Sequence, residues 1–157
     1  MDYASAMAEL LSRHGFRRIM MSRTKVGHLK LVGQLGGRPI DVVLDTGASK
    51  TIVDLSYCRS EGIAVSDTVQ PGAGAVGAGD ITVSVHTLGD VRLTLEGLPV
   101  RSDGIFAIDM THTNQKLKMK GAEPICAVLG QDVLRYHQAV IDYATLALFL
   151  KEEPAQP

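Results

Sequence analysis

A chain of 157 residues that is 45% apolar and 21% charged holds about 71 apolar side chains, enough for one compact domain and too few for two separately cored ones. Sixteen Lys and Arg against seventeen Asp and Glu leave a net charge of -1, which excludes the overall basic field of a general nucleic-acid binder. No apolar run reaches the roughly 18 residues of a membrane span, and the start of the chain carries Asp2 and Glu9 instead of a basic stretch leading into an apolar one.

Charge is unevenly placed: residues 1–38 carry seven basic and two acidic side chains, a balance that reads as a solvated face more readily than as an arm for an acidic partner. Cys58 and Cys126 are read as reduced core thiols in a cytoplasmic setting, because a chain with this apolar fraction needs no disulfide staple.

In chain order, Tyr3, Met7, Leu10, Leu11 and His14 fall on one helical stripe that Gly15 closes. From Phe16 the period changes to two: Ile19 and Met21, then Leu29, Leu31 and Leu35 lie on one face, with Gly33 in the same series. Gly36-Gly37 turns the chain, and residues 38–44 return as a strand. Residues 71–79 are too glycine-rich for a rigid conformation and read as a mobile loop. Further strands are expected in residues 81–88, 91–95, 100–110 and 139–150, cut by turn signals at Gly89-Asp90, Gly97, Asp103-Gly104 and Tyr143-Ala144-Thr145. Residues 131–136 read as one or two helical turns, and residues 151–157 as a disordered tail. Strands at that spacing with no helix between consecutive pairs indicate an antiparallel sandwich or barrel.

Ile40-Asp41-Val42-Val43-Leu44 runs directly into Asp45-Thr46-Gly47-Ala48-Ser49, which puts a carboxylate at the end of an apolar strand and a glycine where backbone N–H groups can approach it. An acid in that place is costly unless it is used or paired. Here the chain resembles the aspartic proteases, and among them the retropepsin-like (retroviral-type) members, over roughly residues 27–150. The motifs in order are Asp-Thr-Gly-Ala at 45–48, a glycine-rich segment at 72–79, and Val128-Leu129-Gly130 before a short helix and a closing hairpin.

The resemblance implies an all-β closed barrel or sandwich with a glycine-rich flap, one short C-terminal helix and an N-terminal helical extension. It divides the chain into an extension (1–26), a protease domain (27–150) and the tail. It implies that Asp45 is the catalytic carboxylate, that Thr46 locks the loop through its symmetry mate, and that Gly47 gives close backbone approach. Ala48 and Ser49, the flap residues Gly74, Ala75, Val76 and Gly77, and Val128, Leu129 and Gly130 would contact an extended peptide or protein substrate. No metal or cofactor is implied.

The chemistry needs two carboxyls, one neutral to polarise the scissile carbonyl and one ionised to take a proton from water. The chain has one Asp-Thr-Gly, and Ser102-Asp103-Gly104 lacks both the hydroxyl after the aspartate and the apolar strand before it. The second acid is therefore expected from another copy of Asp45 in a C2 homodimer. A shared proton implies activity on the acid side of neutral, and Ala48 removes a hydroxyl that more acidophilic relatives use, so a mildly acid optimum is expected. The alternative is a catalytically inactive interaction or dimerisation module with the same fold.

Three departures stand out. The acid and arginine that pair in the retroviral enzymes are replaced by Ser49 and Gln131, a place that a neutral hydrogen bond could fill. The flap has Val76 as its only bulky apolar residue, and residues 1–26 have no counterpart in the minimal retroviral enzyme.

Other signals carry less. Gly72-x-Gly74-x-x-Gly77 matches a dinucleotide pattern but follows Gln70-Pro71 and precedes a strand-like alternation, so no helix terminus is there for a pyrophosphate. Histidines at 14, 28, 86, 112 and 137 lack metal-ligand spacing and read as solvent-facing. Ser22-x-x-Lys25 lies in a charged, strand-like stretch, unlike the buried helix start of acylating enzymes. Lys116, Lys118 and Lys120 alternate with Leu117 and Met119 as in an exposed strand or loop; Asp132 reads as a helix-start carboxylate and Asp142 as a turn residue.

Overall fold

The computed structural model describes residues 2–69 and 84–153. The chain opens with α1 (Tyr3–Arg13), capped by Asp2 through its bond from the Ser5 N–H, and continues into β1 (Phe16–Met20), β2 (Ser22–Arg23), β3 (Leu29–Leu35) and β4 (Arg38–Leu44). A short β5 (Ile52–Asp54) leads into α2 (Leu55–Ser60), followed by β6 (Val65–Val69), β7 (His86–Leu88), β8 (Leu93–Leu95), β9 (Leu98–Pro99) and β10 (Phe106–Ile108). Then come α3 (Thr111–Met119), β11 (Ala127–Leu129), α4 (Gln131–Tyr136), β12 (Val140–Asp142) and β13 (Ala147–Lys151).

The β3–β4 hairpin is the part most directly written in local chemistry. Burial alternates along β3, with Leu29, Leu31 and Leu35 inward, and Gly36 and Gly37 take φ of 56° and 78°, the left-handed pair that a two-residue hairpin turn requires. Gly33 holds its slot in the alternation because β8 crosses it closely: a Cβ there would lie 2.6 Å from the Thr94 carbonyl oxygen. Leu31, Leu35, Val42, Leu95, Leu129, Leu148 and Leu150 are fully buried in the main core, each worth about 1.5–3 kcal/mol as a removed apolar side chain. A second apolar cluster joins Val43, Ile108, Met110, Leu117, Ile125 and Val128.

Among the described residues the strands form two sheets. The larger runs β6-β7-β10-β5-β11-β4-β3-β8-β9, with β2 also on β3, and the smaller runs β1-β13-β12. Not every pairing is antiparallel, contrary to the sequence expectation: β11 lies parallel to β4 and β10 parallel to β5. Parallel neighbours need long crossovers, and residues 55–105 and 45–126 supply them. β1 is woven into the smaller sheet through β13, burying Ile19 and Met21, and Arg17 is paired with Glu152 at 2.7 Å.

Three further expectations change. Residues 100–110 hold only the three-residue β10. Lys116, Lys118 and Lys120 belong to α3 and its C-cap, not to a strand: Leu117 turns inward, Met119 stays 87% exposed, and the lysines sit where a helix C-terminus favours cations. Asn114 anchors this helix by a two-way amide bond, Nδ2 to the Ile125 carbonyl at 3.1 Å and Ile125 N–H to Oδ1 at 2.8 Å. His137 is not solvent-facing but 1% exposed, with Nδ1 2.8 Å from the Lys151 carbonyl and Nε2 accepting the Arg101 N–H at 2.8 Å. His86 is half-buried, its Nδ1 2.9 Å from the Ser66 carbonyl. Asp142 does serve its turn, accepting from Ala144 N–H and the Thr145 hydroxyl, which holds its carboxyl below the usual range. Among the described residues no helix is long and apolar enough to cross a membrane.

Candidate active site

The parallel pairing of β11 with β4 builds the site. Leu129 sits beside Leu44 in register, so both strands end at the same level and the next residues, Gly130 and Asp45, emerge side by side although 85 positions separate them. Asp45 extends the pairing by donating its N–H to the Leu129 carbonyl at 3.1 Å. The chain then turns tightly: Asp45 O accepts the Ala48 N–H at 3.2 Å, and Asp45 Oδ1 accepts the Gly47 N–H at 2.8 Å. The carboxylate is exposed to solvent in the single chain. A side chain at position 47 would bring a Cβ within 3.2 Å of Oδ1, so the glycine leaves room for the carboxylate.

Gly130 is required for a different reason. Its φ of -102° suits any residue, but a Cβ would stand 2.5 Å from the Lys50 carbonyl oxygen and 2.9 Å from that of Ala48. The loop after Asp45 therefore rests directly on the Gly130 backbone. Gly130 N–H donates to Thr51 Oγ1 at 3.1 Å, and the fully buried Thr51 hydroxyl donates to Asp132 Oδ1 at 2.7 Å. Asp132 does lie in the first turn of α4, yet its bond reaches back to Thr51, just before β5; its buried Oδ2 has no hydrogen-bond partner among the described residues.

Gln131 makes a neutral side-chain bond, but not with Ser49. Its Nε2 donates to the Thr46 carbonyl at 2.7 Å and its backbone N–H to the Ala48 carbonyl at 2.8 Å. Ser49 is exposed. Val128 and Leu129 point oppositely, Leu129 into the main core and Val128 into the second cluster, where Ala48, Ile52 and Phe106 also pack. Thus Asp45, Thr46, Gly47, Ala48, Val128, Leu129 and Gly130 come together at one end of the large sheet. Gly74, Ala75, Val76 and Gly77 lie outside the described residues.

Asp103, the weaker candidate for a second acid, is engaged elsewhere. Lys50 Nζ donates to its Oδ2 at 2.6 Å, and this hydrogen bond and charge hold the Asp103 carboxyl below the usual range. The pair is exposed and flanks the loop. A cleft of about 690 Å³ lies elsewhere, between Met20, the outer face of β3 at Val32 and the turn at Glu96-Gly97. Among the described residues no cluster of His, Cys, Asp and Glu suits a metal ion. Both cysteines are free; burial pushes the Cys58 thiol up to about 11 and raises that of Cys126.

Sequence reading did not single out Thr51 or Lys50. A threonine just before a strand carries no local mark, and only the approach of Asp132 in the first turn of α4 gives it a partner.

No protein-family model and no curated protein sequence matches the chain. Solved structures do. A retropepsin-like aspartic protease from Rickettsia conorii superposes with a TM-score of 0.54 at 16% identity, covering 86% of this chain and 91% of that one. The retroviral protease-like domain of Ddi1 from Leishmania major gives 0.50 at 18% identity over 83% and 97%, and the EIAV protease in complex with the inhibitor HBY-793 gives 0.50 at 18% over 77% and 98%. Because the superposition covers nearly the whole length of these three proteins, the chain has the retropepsin fold.

Proposed function

We propose that this chain is an aspartic endopeptidase that works as a homodimer, with residues 27–150 as the protease unit and residues 1–26 as an extension whose strand β1 is stitched onto it. The observation that carries the reading is the exposed Asp45 carboxylate after the end of β4, held by the Gly47 N–H in a loop that rests on Gly130. One such acid is insufficient, and Asp103 is committed to Lys50; the mate is the partner's Asp45.

Across the two-fold axis the two carboxyls share one proton, because like charges about 3 Å apart cannot both ionise. The neutral member polarises the peptide carbonyl while the ionised one takes a proton from the attacking water, so activity peaks on the mildly acid side of neutral. Thr46 would lock the two loops together; Ala48, Ser49, Val128 and Gly130 would line the substrate, and residues 74–77 would close over it. The substrate is an extended, largely apolar peptide segment. The two unpaired cysteines support a cytoplasmic setting.

Cleavage of a peptide library, measured per chain against protein concentration alongside sedimentation, tests this. Specific activity should climb with the dimer fraction, and Asp45→Asn should abolish it while keeping the dimer. Partner binding without cleavage, unchanged by Asp45→Asn, would assign the chain to the interaction-module class instead.

A further inference from the structure

The bond from Gln131 does more than brace a loop. Thr46 carbonyl and Gly47 N–H belong to one peptide unit, which is planar and trans, so the two groups point in opposite directions and turn together. Gln131 Nε2 holds the carbonyl side at 2.7 Å, and the N–H side is the donor to Asp45 Oδ1 at 2.8 Å. A single relay thus runs from the Gln131 amide through the Thr46-Gly47 peptide plane to the Asp45 carboxylate. Each bond polarises the next in the same sense, donor to acceptor, which strengthens both. The Gln131 N–H bond to the Ala48 carbonyl at 2.8 Å fixes the backbone from which the side chain reaches.

We infer that Gln131 is a positioning residue that aims the Gly47 N–H at the Asp45 carboxylate through the intervening peptide plane. It does so with a neutral donor, so the hold is independent of ionic strength. Tilting of this plane is opposed by one side-chain bond on the carbonyl side; without it the Gly47 N–H is freer to swing off the carboxylate, and the carboxylate loses its fixed direction. Only the kinetic consequence of this inference rests on the peptidase reading; the relay itself does not.

The test measures amide-exchange protection by NMR for Gly47, with Leu31 and Val42 as core controls, in the full chain and in two variants at the exposed position 131. Gln131→Leu keeps most of the volume and removes the donor. Gly47 protection should fall about fivefold or more, the equivalent of one neutral hydrogen bond of about 1 kcal/mol, with the core amides unchanged. Gln131→Glu presents an acceptor to the Thr46 carbonyl at neutral pH and should show the same loss. Measured against the parent at the same pH, so that any change at the Asp45 acceptor cancels, its protection should return below about pH 4, where the introduced carboxyl carries a proton that it can donate. That acid recovery distinguishes a donor's role from one of packing.

Where a cleaved peptide is in hand, kcat should fall in both variants with KM held. Unchanged Gly47 protection in both variants, or no acid recovery in Gln131→Glu, overturns the inference. Loss of protection in a chain whose parent cleaves nothing leaves the relay standing and removes the peptidase reading. Cleavage by the parent with Gly47 indifferent to position 131 does the reverse.

Discussion

Replacing Gly130 by alanine adds one methyl group at the tightest backbone contact of the site. The new Cβ would meet the Lys50 carbonyl oxygen at 2.5 Å, its carbon at 2.6 Å and the Ala48 oxygen at 2.9 Å. Ordinary contact begins at 3.4 Å, so the loop must retreat by about 0.9 Å, and all three atoms are backbone that no rotamer change can move aside. That retreat strains the bonds from Gln131 N–H to the Ala48 carbonyl, from Gly130 N–H to Thr51 and from Asp45 N–H to the Leu129 carbonyl. Overpacking costs about 1–3 kcal/mol and each lost hydrogen bond about 1 kcal/mol, so a net loss of about 2–4 kcal/mol is expected. For a domain of this size that lowers Tm by about 5–15 °C. Thermal and urea unfolding give the number, and Gly89→Ala is the matched control, since its Cβ meets nothing within 4 Å. A Gly130→Ala protein with the parent's Tm and cleavage rate would refute the close-packed account of the loop.

Asp103→Asn should leave peptide cleavage intact, because that carboxyl is held ionised by Lys50 and is not the second acid; loss of kcat with an unchanged dimer would reassign it. His137→Ala should destabilise the chain by about 3–4 kcal/mol in urea unfolding, since it empties a buried site and strips partners from the Arg101 N–H and the Lys151 carbonyl; a shift under about 1 kcal/mol would contradict this. Cys58 favours its neutral thiol in the folded state, with a value raised from 9.0 to about 11. Between those two pH values the unfolded chain binds fewer protons than the folded one. The contribution of Cys58 is therefore intact below pH 9 and declines as pH rises toward 11. Alkaline unfolding of Cys58→Ala should lack that component, and an identical pH slope in both proteins would remove it.

The residues carrying the retropepsin resemblance were legible one segment at a time. Period-two burial in β3, the paired left-handed glycines at 36 and 37, and the apolar run into Asp45 all act within a few residues, where spacing maps directly onto facing. Val128-Leu129-Gly130 and the helical turn after it are local in the same sense. α3 is not legible in the sequence because Lys-Leu-Lys-Met-Lys alternates like a strand, while the anchoring of Asn114 to Ile125 and of the Met110 N–H to Asp54 decides for a helix.

By itself, then, the sequence determined the strand periodicity, the hairpin turn and the identity of the lone Asp-Thr-Gly. Tertiary structure decided that β11 runs parallel beside β4, that Gly130 is therefore the floor of the Asp45 loop, and that Gln131 meets Thr46, Thr51 meets Asp132 and Lys50 takes Asp103 out of contention. The physical reason is that a chain's local pattern reports which side of an element is apolar. Which element covers that side, tens of residues away, is set by how the whole core closes, and only that closure brings polar groups within hydrogen-bonding reach.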